Sequence, residues 1–285
     1  HNKIFMALSR GASVSVGFGT QHSRPKTLNY FQAISASQWA ALLRCKTPLG
    51  VLTDNKKNIL CKLRVYRSDS VDECEVNLSY PYPHENIANC LNLDEYLVWQ
   101  KRCVDAGRAL TIPPQYKKRT GLYKFYKKDE IVNLLQSPSE QELLLINQHD
   151  IWVYAFFAHS TNVWDVINDE KFKLRKKYRI MKGGLQLANN TMIQGDPIII
   201  PLSSNMGYQN QCHVVVHLTN AEPDLGRKGF QPEIKELCEN IASSVVNGLK
   251  KFRELLRENS NYSSVDDKEK DLYDWIRQQE GYQKN

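Results

Sequence analysis

The sequence lacks any apolar run long enough to span a bilayer, and its most apolar stretches, Ile151–Ala158 and Pro197–Leu202, are of strand length. No charged-then-apolar signal peptide stands at its start. An intracellular setting, cytoplasm or nucleus, and no membrane partner are expected. Cys45, Cys61, Cys74, Cys90, Cys103, Cys212 and Cys238 are odd in number and include no C-x-x-C pair, so no structural zinc site or other metal centre is expected. Free thiols in a reducing compartment suit them better. A Gly-x-Ser-x-Gly elbow is missing too, and His149, Asp150 and His159 lack a partnered nucleophile, which disfavours a free-standing hydrolase. The first residue is His1 rather than Met, and we read the chain as a fragment or processed product.

What is present is globular in composition: 285 residues, 41% hydrophobic, enough for one large or two modest domains. The formal net charge of +7 is unevenly placed. Pro114–Lys128 holds six bases and no acid, Lys171–Lys182 seven bases and no acid, and outside them acids outnumber bases. Local patches of this kind suit a polyanion better than a uniform excess does.

Periodicity places the elements. Ala12–Gly17 reads as a strand ending at Gly17-Phe18-Gly19, a plain turn. Ser35–Arg44 reads as a helix with Trp39, Leu42 and Leu43 on one face, and Ile59–Tyr66 and Cys74–Leu78 as strands. Tyr80-Pro81-Tyr82-Pro83 stops regular structure. Leu93–Ala106 reads as a helix with Leu93, Tyr96, Leu97 and Val104 on its apolar side, and Asp129–Leu135 as a short helix. A turn at Ser137-Pro138-Ser139 suggests a boundary near residue 140. Beyond it, Ile151–Ala158, Leu185–Ala188, Pro197–Leu202 and Cys212–Leu218 read as strands. Pro232 suits a first helical turn. From it Ile234, Leu237, Cys238, Ile241, Val245, Leu249 and Phe252 recur at helical spacing, with acids early and bases late, as the helix dipole favours. The tail from Asn259 is polar, with a short helix expected around Leu272–Ile276.

Several segments can carry chemistry. Gly226-Arg227-Lys228-Gly229 lies between a buried strand and a helix. Its glycines permit close approach to a ligand, and a lysine held there can stabilise a phosphate; a solvent-exposed turn has the same signature. Gln115–Lys128 interleaves Tyr116, Tyr123, Phe125 and Tyr126 with Lys117, Lys118, Arg119, Lys124, Lys127 and Lys128. Bases bind phosphates and aromatics stack on nucleobases; a solvated basic loop with buried aromatics is the alternative. Arg175, Lys176 and Lys177 form the centre of the second patch, where Phe172, Leu174, Tyr178 and Ile180 suggest one face of a strand or helix. His213 and His217 share a strand face, as partly buried histidines rather than metal ligands.

The stretch from Gly183 to the end of the Pro232 helix resembles the transducer region of GHKL ATPases, the gyrase, heat-shock chaperone and mismatch-repair group. The likeness is nearest to microrchidia-type proteins and bacterial GHKL ATP-binding proteins. It is carried by Gly183-Gly184-Leu185-Gln186-Leu187-Ala188, Pro201-Leu202, Gly207-Tyr208-Gln209-Asn210-Gln211, His213-Val214-Val215-Val216-His217 and Asp224-Leu225-Gly226-Arg227-Lys228-Gly229-Phe230. Trp99-Gln100-Lys101-Arg102-Cys103 through Thr111–Tyr123 resembles the bacterial members, so the likeness covers about two-thirds of the chain. It implies that Lys228, or Arg227 if the register slips by one, reaches the γ-phosphate, with Gly226 and Gly229 beside it and Gln209 and Gln211 lining the same surface. ATP and Mg²⁺ are implied only by the resemblance, held mainly by an upstream ATP-binding domain. The Asn-bearing helix and Asp-x-Gly-x-Gly box of the Bergerat ATP-binding fold are not evident in this sequence.

The expected fold is α/β of the α+β kind. Residues 1–140 form an α+β bridging segment with a basic-aromatic insertion at 114–128. Residues 141–258 form a transducer-like mixed sheet with helices on one face, closed by a helix Pro232–Leu256. Residues 259–285 form a polar tail. The expected function is part of an ATP-hydrolysing protein, not a complete ATPase by itself, coupling nucleotide to homodimerisation or nucleic-acid engagement. The rivals are a non-catalytic DNA- or RNA-binding module and, last, a protein-interaction scaffold.

Overall fold

The computed structural model describes residues 30, 33–53, 61–67, 69–176, 178–204, 206–222 and 230–257. The expected Ala12–Gly17 strand and Leu272–Ile276 helix lie outside the described residues. The chain divides into two units, residues 1–35 and 36–285. In the first, the Ile34 N–H donates to the Tyr30 carbonyl at 3.2 Å. Every strand among the described residues belongs to the second unit.

Helix α1 (Ala36–Lys46) buries Ala36, Ala40, Ala41, Leu42 and Cys45. It packs on the antiparallel hairpin of β1 (Cys61–Tyr66) and β2 (Val71–Val76). The hairpin alternates half-buried and exposed positions, as one covered face requires. The second strand therefore lies nearer the turn than the expected Cys74–Leu78. A short helical turn, α2 (Pro83–Asn86), follows the Tyr-Pro repeat, with proline in its first turn.

The main sheet has six strands in the order β3-β4-β5-β8-β6-β7: β3 (Cys90–Asn92), β4 (Gly121–Tyr126), β5 (Trp152–Ala158), β6 (Gly184–Asn189), β7 (Met192–Ile198) and β8 (Cys212–Leu218). Strand β8 lies antiparallel to β5 and parallel to β6. The sheet runs through residue 140, since β4 pairs with β5 over six residues, so the expected division at 140/141 marks no break in it. The mixed α+β class is as the sequence implies.

Alternation gives the sheet two chemically distinct faces. Leu122, Tyr126, Val153, Ala155, Phe157, Leu185, Leu187, Val214 and Val216 point into one core. Against them lie α3 (Leu93–Asp105), α4 (Lys128–Leu135), α5 (Glu140–Gln148) and α8 (Pro232–Leu249), which supply Tyr96, Ile131, Ile146 and the stripe Ile234–Leu249. Helix α3 is capped by Asn92, whose side chain accepts from the Asp94 N–H at 3.0 Å, and α5 by a Ser139/Glu142 capping box. Val104, expected on the apolar side of α3, is 59% exposed; it lies in the last turn, beyond the core. The closing helix gives way at Lys250 to a 3-10 turn through Leu255, so it is shorter than the expected Pro232–Leu256.

The helices do not cover one face alone. The opposite face is overlaid by Tyr80–Asn86 and by α6 (Asn162–Asp165), which continues as a π-helical turn, Val166–Lys171. Trp164 meets Phe156 edge-on at 5.9 Å, and its Nε1 donates to the Asn210 carbonyl at 2.7 Å. Gly183-Gly184 allows this closeness: a Cβ on Gly183 would stand 2.2 Å from the Asn210 oxygen, and Gly184 has φ +132°. The expected Pro197–Leu202 strand is displaced. Its apolar run overlaps only the end of β7, and Ile199 is 74% exposed while Ile200 is buried.

Among its described residues, the second basic segment is neither strand nor helix beyond Lys171. Phe172, Leu174 and Ile180 are buried, and Asn168 organises the chain around them. Its side chain donates to the Trp164 and Met181 carbonyls (2.6 and 2.7 Å) and accepts from the Ile180 and Met181 amides (2.8 and 3.0 Å). Removing it strands two buried N–H groups, each costing about 1–3 kcal/mol. Asn168→Ala is therefore expected to lower stability by about 3 kcal/mol, read as a reduced urea midpoint with an unchanged m-value.

Candidate functional site

Residues Gly226, Arg227, Lys228 and Gly229 lie outside the described residues. Their anchors are described. The chain leaves the central strand β8 at Thr219, and Phe230 is buried before α8 begins at Pro232. Around the strand end the backbone is heavily constrained. The Asn189 side chain brackets Ala221, donating to its carbonyl at 2.6 Å and accepting from its N–H at 3.2 Å. The Asn190 side chain accepts from the Asn220 N–H at 3.0 Å, and the Thr219 N–H donates to the His149 carbonyl at 2.7 Å.

Asp150, Asn190, Thr191 and Asn220 at this edge all have positive φ, from 42° to 70°. Asn and Asp tolerate that region, but a β-branched residue does not do so readily. Thr191 is held there by His217, whose Nε2 accepts its N–H at 2.9 Å. This contact puts the imidazole proton on Nδ1, which is buried without a partner. Burial pushes His217 down to about 4, against the pull of Asp150, so the ring is neutral and lies flat on Trp152 at 4.7 Å.

His213, at the other end of the strand, is also pushed down to about 4 by burial. Its Nδ1 donates to the Lys182 carbonyl at 2.8 Å and its Nε2 accepts from the Tyr80 hydroxyl at 3.0 Å. Both strand histidines are thus buried, hydrogen-bonded groups, and no group of three or more His, Cys, Asp or Glu side chains converges among the described residues. Gln209 and Gln211 sit on α7 (Tyr208–Gln211), immediately before β8. Seven extended residues span about 20 Å. The two glutamines therefore stand at the end of β8 opposite to the one where the connector begins.

The basic-aromatic segment is a strand only over Gly121–Tyr126, preceded by a 3-10 turn at Pro114–Tyr116 and an irregular stretch, and alternation sorts the strand's residues. Lys124 points inward, 6% exposed in its side chain, and pairs with Asp94 and with Glu130, the latter at 2.8 Å. It pins α3 and α4 to β4 and cannot meet a polyanion, which corrects its assignment as a nucleic-acid contact. Tyr116 and Tyr126 pack into the helix-covered core. Tyr123 and Phe125 face the other way. Lys117, Lys118 and Lys127 are exposed, and Lys128 is half-buried at the start of α4.

Arg119 is half-buried; its guanidinium donates to Asn89 at 2.7 Å and its backbone pairs with Leu255 and Arg257. In the second patch Arg175 and Lys176 are exposed, Arg175 lying over the Tyr178 ring at 5.5 Å; Lys177 lies outside the described residues. Arg179 is engaged with Asp165 through two bonds of 2.6 and 2.5 Å.

The two basic segments reach a common cleft through one residue each, and the first segment contributes no base to it. Thr120 from the first and Lys171 from the second line one cleft of about 250 Å³ with Asn86, His159, Asn162 and Arg257. Glu170 is the acid on its wall. His159 donates from Nδ1 to the Thr120 carbonyl at 3.0 Å, leaving Nε2 as an acceptor 3.3 Å from Ser160 Oγ. Burial lowers its pKa, and the Arg257 charge lowers it further. His159 and Arg257 carried no sequence signal for this role, because their neighbourhood is assembled from four distant segments. Asn189-Asn190 could have been found as a turn signal.

Three histidines, His84, His213 and His217, are held near 4 against an ordinary value of 6.5, chiefly by burial. Unfolded imidazoles bind protons first as pH falls, so this stability is complete above pH 6.5 and is lost between 6.5 and about 4. The urea midpoint is expected to decline across that window. His217→Gln, which keeps an acceptor for the Thr191 N–H, is expected to flatten part of the slope. Compared with known proteins, the chain matches no family model, and no curated protein matches it.

Proposed function

We propose that this chain is the transducer region of a GHKL-type ATPase and that Lys228 contacts the γ-phosphate of ATP bound mainly by a domain outside it. The supporting observation is the clamped exit of β8: the connector carrying Lys228 runs from the Asn189-bracketed end of a central strand to the start of the helix that closes the core. That is the strand–connector–helix order the resemblance requires. A lysine so tethered places positive charge where charge develops in phosphoryl transfer. Among the described residues no group of three or more His, Cys, Asp or Glu side chains converges, and no step here is assigned to the metal. Among the described residues no helix is long and apolar enough to cross a membrane.

In a protein carrying both this chain and its nucleotide-binding domain, Lys228→Ala is expected to reduce ATP hydrolysis by about 100-fold or more at an unchanged thermal midpoint. Arg227→Ala tests the register. Normal turnover in both variants would sink the assignment.

The exposed bases of the two segments, Lys117, Lys118 and Lys127 in the first and Lys171, Arg175 and Lys176 in the second, favour a second reading, nucleic-acid engagement. Oligonucleotide binding measured by fluorescence anisotropy should weaken steeply with salt. Charge reversal at Lys117, Lys118 and Lys171 is expected to abolish it, while Lys124→Met, at a buried position, leaves it unchanged. Absence of binding at low salt would defeat this reading.

A further inference from the structure

The outer face of β4 and β5 carries a row of flat rings that the core does not use. Pairing sets Tyr123 opposite Phe156 and Phe125 opposite Tyr154. Trp164 covers Phe156, and Tyr82 covers Tyr154 at 4.5 Å. Tyr123, Phe125 and Trp152 are left partly open, with Phe125 41% exposed in the middle of a strand.

The rings are held flat and in place. His84 stacks on Tyr123 at 3.9 Å and 13°, and its Nδ1 lies 2.8 Å from the Tyr154 hydroxyl. Trp152 stacks on His217 at 4.7 Å and 17°. Phe125 stands between these pairs, 6.2 Å from His84 and 6.3 Å from Trp152. Cations flank the row. At the Gly121 end lies the cleft with Lys171 and Arg257, and at the other end exposed Lys127 follows Tyr126.

We propose that this face binds single-stranded nucleic acid, its bases stacking on His84/Tyr123, Phe125 and Trp152 and its backbone running between Lys127 and the Lys171–Arg257 cleft. The inference rests on the nucleic-acid reading above and adds the form of the ligand. Aromatic rings set on a rigid sheet between cations offer what an unpaired strand presents: π faces and phosphates in alternation. A duplex keeps its bases stacked on one another and has none to give to Phe125.

The test is fluorescence anisotropy at low salt with the full 285-residue chain. Its probes are a labelled single-stranded oligonucleotide, the matched duplex, and an abasic strand of equal length and charge. The single strand is expected to bind at least about tenfold tighter than either of the others, a loss on the scale of one stacking contact. Phe125→Ser and Trp152→Leu, checked for unchanged thermal midpoints, should each weaken the single strand about tenfold while leaving the duplex affinity and the salt slope as they were. Equal affinity for all three probes, with steep salt dependence, would overturn the stacking proposal and leave the basic-patch reading standing. No binding of any probe would overturn both.

Discussion

The apolar stripe of α8 lies across the inner face of β5, β8 and β6, and the rest of the second unit is arranged around that contact. Ile234, Leu237, Cys238, Ile241, Ala242, Val245, Val246 and Leu249 are all buried there, against Val214, Val216, Leu185 and Leu187. Burial of side chains of this size is worth about 1.5–3 kcal/mol each before entropy is counted. It also imposes connectivity. Because β8 is central and its successor in the chain is the covering helix, the segment between them must leave the sheet at the Thr219 end and turn onto the inner face. Asn189, Asn190 and His149 fix where that departure begins.

The two faces of the sheet divide the labour. The inner face is apolar and is tightened at its β4 side by Lys124, a buried cation drawing two carboxylates from separate helices. Such a pair contributes more to the placement of helices than to net stability. The outer face carries rings and imidazoles. Its histidines are kept neutral by burial, so they act as flat, hydrogen-bonding aromatics: His213 ties Tyr80 to Lys182, His217 holds Thr191, and His84 lies on Tyr123. One face is covered by helices and carries the core, and the other is a ring-bearing face that remains partly open.

Period and turn chemistry made the regular elements legible: β8 was bounded residue for residue, β5 and α3 to within one residue, and the apolar stripe of α8 from Ile234 to Leu249, though not the expected Phe252, which falls in the 3-10 turn beyond it. Misses arose where local pattern competed with tertiary context. The run Pro197–Leu202 is as apolar as a core strand, yet Ile199 has no neighbouring layer to enter. Lys124 resembles its exposed neighbours Lys117 and Lys118 in sequence, and only the pleat of β4 and the arrival of Asp94 and Glu130 turn it inward.

The sequence by itself determined the α+β class, the central strands, the closing helix and the uneven placement of charge, because each follows from spacing along a single segment. Tertiary structure alone decided which bases face solvent and which rings remain open. It also decided that Thr120, His159, Lys171 and Arg257 share a cleft and that three turns converge to clamp the exit of β8. Those relations depend on strand order and on pairings between residues tens of positions apart. No local periodicity records them.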